Sequence, residues 1–85
     1  MDNAKQRQAV LETLYTARQA HAGKIDGGGW VAQCDLKNAH GDVAFALDVL
    51  AELGYIQRNE PPLKYFGCRC HRITGSGVVA VEVMR

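Results

Sequence analysis

The residues with most chemical capability gather in one short stretch, Cys68-Arg69-Cys70-His71. Cys34, His21 and His40 are spaced so that a compact fold could bring them close to it. Thiolate and imidazole are zinc ligands, so a metal site is the first chemistry to test. The spacing argues against one. Structural zinc sites draw on Cys-x-x-Cys pairs or longer turns, whereas Cys68 and Cys70 on a strand set both sulfurs on one face, beside Phe66. The pattern reads as two small apolar side chains on the buried side of a strand, with no metal and no cofactor. A bridge between these two is disfavoured, because alternate strand residues have Cα atoms roughly 6.5–7 Å apart and parallel side chains. Three cysteines, an odd number, are read as free thiols in a reducing compartment.

Catalytic patterns are no better supplied. The glycine run Gly27–Gly29 is followed by Trp30, where a phosphate-cradling loop would continue into Lys-Ser or Lys-Thr, and no nucleophile elbow is present. Cys34 and His40 supply a nucleophile and a base, but six residues across a helix and a turn do not fix their geometry, and no oxyanion donor accompanies them. The expectation is a protein that is not an enzyme.

The elements that position these residues are legible from periodicity. Val10, Leu14 and Ala17, with Leu11 beside them, make one face of a helix over 4–21, capped by Asp2 or Asn3 and ended by Gly23. A glycine loop covers 23–29. Trp30 and Val31 make a very short strand or a core anchor. A short helix over 32–39 follows, with Cys34 or Leu36 inward, then the turn His40-Gly41-Asp42. Asp42 caps a helix from Val43 to Leu53 that Gly54 ends. Two helices joined by about three residues including a glycine form a helix-turn-helix, here over 32–53. Residues 55–73 read as a hairpin, with Pro61 and Pro62 in its turn. In the segment 75–84, Thr74 is placed as an N-cap, while four valines leave helix and strand both open.

Eighty-five residues suffice for one modest core and are too few for a second domain. With 47% hydrophobic and 22% charged residues, the chain fits an ordinary globular class and no membrane or disordered one. No apolar run approaches a membrane span, and the polar start Met1-Asp2-Asn3-Ala4-Lys5 lacks a secretory pattern, so the expected location is cytoplasmic, with no membrane partner. The net charge of +1 leaves any nucleic-acid argument to the distribution of Lys and Arg.

The element order resembles that of the winged helix-turn-helix superfamily over nearly the whole chain. Its most telling pieces are Leu50-Ala51-Glu52-Leu53-Gly54-Tyr55-Ile56 and His71-Arg72-Ile73-Thr74. The resemblance implies a mainly α fold with a small β-hairpin. It also implies a third helix in the DNA major groove, a wing near the backbone or minor groove, and commonly a role in transcription regulation.

On a helical wheel Val43, Ala46, Leu47, Leu50 and Leu53 fall inward, and Ala44, Phe45, Asp48, Ala51 and Glu52 outward. The outward set carries two acids and no Lys, Arg, Asn or Gln, the usual readers of guanine and adenine. Asp48 can still accept from cytosine, and Ala44 or Phe45 can touch a thymine methyl. Phosphate contacts then fall to Lys37, Asn38 and His40 near the turn and to Arg58, Lys64 and Arg69 on the wing. The expectation is a double-stranded DNA-binding protein. The alternative is a module that binds a protein partner or a second copy through Phe45, Asp48 and Glu52, or through the valine-rich segment. A competing expectation for Phe45 leaves it half-buried under the hairpin.

Overall fold

A computed structural model describes residues 2–22, 28–59 and 69–85. Gly23, Lys64, Phe66 and Cys68 lie outside the described residues. Helix α1 spans Asn3–Ala20, and the Asp2 carboxylate caps it by accepting from the Ala4 amide at 3.1 Å. Val10, Leu11, Leu14 and Tyr15 fall on one face and are buried. At its end the His21 amide donates back to the Arg18 carbonyl, tightening the last turn.

Strand β1 (Val31–Ala32) leads directly into α2 (Gln33–His40), and α3 follows at Ala44–Glu52. Strands β2 (Ile56–Arg58) and β3 (Cys70–Ile73) precede α4 (Gly75–Met84). The described residues are thus mainly helical, with a three-stranded antiparallel sheet in the order β1-β3-β2. The expected two-stranded hairpin gains a strand because Val31 and Ala32 pair with His71 and Cys70, satisfying backbone groups on the outer side of β3.

Several expected boundaries shift. Helix α2 starts one residue later than read, at Gln33, with Leu36 inward and Cys34 exposed. Asp42 accepts from the Ala44 amide at 3.1 Å, but helical geometry begins only after Val43. Val43, Ala46, Leu47 and Leu50 are buried as the wheel places them, whereas Leu53 is 53% exposed. The helix stops at Glu52, so the inward face no longer extends to Leu53, which borders a surface groove with Leu11, Tyr55 and Met84. Gly54, at φ 77°, makes the left-handed exit from α3.

The cysteines also differ from expectation. Cys34 is disulfide-bonded, its partner lying outside the described residues, and Cys70 is buried and free. An odd count leaves one thiol over without requiring all three to be free.

The core is a single cluster drawing on α1, α2, α3, β2, β3 and α4. Leu14, Leu36, Leu47, Leu50 and Ile73 are fully buried within it, each contributing about 1.5–3 kcal/mol relative to exposure. Polar ties fix the helices around this cluster. The Gln6 amide donates to the carbonyls of His40 and Asp42, holding the helix-turn-helix corner against α1. Arg18 donates to the Ile73 carbonyl at 2.8 Å, tying α1 to β3.

The last segment is a helix. The Thr74 hydroxyl donates to the Gly54 carbonyl and accepts from the Gly77 amide, so one side chain joins the exit of α3 to the start of α4. That junction is tight. A Cβ at Gly77 would overlap the Tyr55 carbonyl and stand 2.6 Å from Ile73 Cγ1, whereas one at Gly75 meets nothing within 4 Å. Gly77→Ala is therefore expected to lower stability by about 1–3 kcal/mol in urea unfolding, with Gly75→Ala close to neutral. Equal effects at the two positions would contradict this packing.

Candidate functional site

The register of the sheet builds the site. Val31 and Arg58 lie opposite His71 on either side, so the three side chains form one row across β1, β3 and β2. On β3, His71 shares a face with Ile73, and His71 is only 1% exposed. The Gln33 amide donates to the Arg69 carbonyl at 2.8 Å, which pins the first residue of α2 beside β3. From there Gln33 Oε1 meets His71 Nε2 at 3.1 Å. Nε2 carries the proton in that bond, leaving Nδ1 with a bare lone pair, buried and without a partner.

Around this pair opens a cleft of about 200 Å³ lined by Gln33, Ala44, Leu47, Arg58, Arg69 and His71. Its volume is several times the roughly 30 Å³ that a water molecule occupies in the liquid. Arg58 enters from β2, and its guanidinium approaches Asp48 of α3 at 3.6 Å. The Asp48 side chain is 63% exposed, so this pair is worth no more than about 1 kcal/mol. The buried Arg58 Nε has no partner. The cleft is cationic and reaches the first turn of α3.

No protein-family model, no curated protein and no solved structure matches the chain.

The structure separates the sequence-predicted residues. Ala44, Arg58 and Arg69 come together at the cleft, with Asp48 beside them through its ion pair. Lys37 and Asn38 are exposed on α2 and stand apart from the cleft lining. His40 is structural: the Thr13 hydroxyl donates to the Ala9 carbonyl and accepts from His40 Nε2 at 2.9 Å. Phe45 is 58% exposed, which corrects the expectation that the hairpin half-buries it. Glu52 is exposed near the end of α3. Lys64 lies outside the described residues. Among those described, no three His, Cys, Asp or Glu side chains gather as a metal cluster, and no helix is long and apolar enough to cross a membrane.

The sequence reading missed Gln33 and His71 as a pair. Strand alternation alone could have placed His71 on the Ile73 face, opposite Cys70, and so marked a buried imidazole. Nothing in the sequence signals the Gln33 contact, which depends on how β1 docks.

Burial holds the His71 imidazole neutral, and the nearby Arg58 and Arg69 charges add to this, lowering its pKa to about 4. On the opposite face the Cys70 thiol is pushed up, first by burial and then by Asp35. The His71 shift has a consequence for stability. Its folded pKa lies below the unfolded value of about 6.5, so between these values the unfolded chain binds more protons. Stability is therefore complete above about pH 6.5 and falls by up to about 3 kcal/mol on acidification to about pH 4. Urea midpoints measured across this range should drop for the native chain and drop less for His71→Gln; superimposable curves would contradict the assignment.

Proposed function

We propose that this chain is a small winged-helix DNA-binding module, with a regulatory role of the kind common among such folds. The observation that carries the reading is the convergence of Arg58, Arg69 and the first turn of α3 on one cleft. It supports the reading because a helix entering the major groove needs cations beside it for the flanking phosphates. The element order, with a helix-turn-helix over α2 and α3 followed by paired strands β2 and β3, supports the reading. Lys37 and Asn38 extend the polar surface along α2.

Exposed Ala44, Phe45, Asp48 and Glu52 make the outward side of α3 acidic and apolar. Affinity on this reading comes chiefly from phosphate contacts, with strong salt dependence and modest sequence preference. Fluorescence anisotropy with mixed duplex DNA should show binding at low salt. Arg58→Ala with Arg69→Ala should weaken it and reduce the salt slope by about two. Absence of binding at low salt would overturn the proposal, and an unchanged slope would remove the cleft from the interface.

A second reading, a protein-interaction or dimerisation module, is favoured by one observation: Phe45 is 58% exposed on a helix side with no basic residue. An exposed aromatic is a suitable anchor for a protein surface. If that side mediates self-association, the native chain will sediment as a concentration-dependent dimer. Phe45→Ala will then sediment as a monomer with stability changed by less than about 1 kcal/mol. A monomer at every concentration would contradict self-association through Phe45.

A further inference from the structure

The cleft between α2, α3 and the sheet contains more than a surface cation patch. His71 is 1% exposed and lines the cleft, and its imidazole Nδ1 is buried without a partner. Arg58, on the neighbouring strand, has a buried Nε that is likewise unpartnered, and its guanidinium stands 3.6 Å from the exposed Asp48. Arg69 lines the same cleft from just before β3. A buried nitrogen without a hydrogen bond is destabilising, and a ligand that bonds to it recovers part of that cost.

From these groups we infer that the cleft is a binding site for a phosphate group, held by the Arg58 and Arg69 guanidiniums and by His71 Nδ1.

The charge balance selects the ligand class. Two guanidiniums, one from β2 and one from the residue before β3, suit a tetrahedral dianion, which accepts hydrogen bonds from several sides, better than a single carboxylate. The Ala44 amide is already bonded to Asp42, so recognition rests on side chains rather than on the start of α3. A phosphate bearing a proton can donate to the Nδ1 lone pair. A fully ionised oxyanion instead requires His71 to take up a proton and donate.

Binding is therefore coupled to protonation of His71. The groups that face it are Arg58 from β2, Arg69 just before β3 and Gln33 from α2, with Asp48 of α3 acting through Arg58 and neutral Ala44 and Leu47 added from α3. The two arginines repel a proton on His71, and a dianion reverses that field.

The site does not require the DNA reading. The phosphate can belong to a nucleic-acid backbone or be free, and the test separates these sources. Sulfate serves as the probe because it stays doubly charged throughout the pH range, with chloride fixing the ionic strength. The readout is the His71 imidazole followed by NMR as pH is varied, with and without sulfate. Saturable binding should raise the His71 midpoint by about one pH unit or more, which by linkage makes sulfate bind about tenfold more tightly to the protonated form. Arg58→Gln should abolish most of that rise.

Short duplex DNA at low salt supplies the second arm. DNA that moves His71 in the same direction and is displaced by sulfate identifies the backbone as the phosphate source. DNA that binds without moving His71, where sulfate does move it, identifies a free oxyanion. A midpoint that is the same in sulfate and chloride overturns the site even if DNA binds. So does a shift that never saturates and persists in Arg58→Gln. Failure of DNA binding alone overturns only the proposed function.

Discussion

The pairing of β3 on both edges is the constraint on which the rest of the structure depends. Four residues, Cys70 to Ile73, bond to β1 on one side and β2 on the other. The same strand receives Arg18 from α1 at the Ile73 carbonyl, and Thr74, which follows it, starts α4. Backbone groups buried without partners are costly, so the position of so short a strand is well determined once both neighbours dock. Side-chain alternation puts His71 and Ile73 on one face of β3, and the register that satisfies the backbone decides that Val31 and Arg58 stand opposite His71.

That register produces an electrostatic tension that a simpler core would avoid. A buried imidazole stands in one row with Arg58 and near Arg69, and its single hydrogen bond, to Gln33, leaves Nδ1 unmatched. Burial and the two positive charges act in the same direction, keeping the ring neutral. An apolar residue at this position would pack without the penalty. A small cleft that gathers two arginines and an unmatched imidazole fits an anion better than it fits core filling, and this links the local chemistry to the proposed phosphate contacts.

Much of the architecture is legible in the sequence because it is periodic. The Val10, Leu11 and Leu14 face, the Gly54 exit from α3 and the Thr74 cap each carry a local signal, and each has the structural role expected of it. The valines of the last segment do not carry such a signal. Their strand preference competes with a helix that gains its stability from the Thr74 cap and burial of Val81. Two residues of β1 are too few for periodicity to register, so the third strand, and with it the Gln33–His71 bond, emerges only from tertiary pairing. The candidate site is legible in part: Arg58 and Arg69 stand out by charge, whereas in the sequence His71 stands out only beside Cys68 and Cys70, as a metal ligand to be tested.

His71 is a neutral, buried imidazole whose proton sits on Nε2 and whose Nδ1 has no partner. Nitrogen-15 NMR of the imidazole in the ligand-free protein tests this assignment most directly. A single Nε2–H tautomer is expected at neutral pH, with protonation only near pH 4. A proton on Nδ1, or a midpoint near the ordinary histidine value of about 6.5, would contradict it.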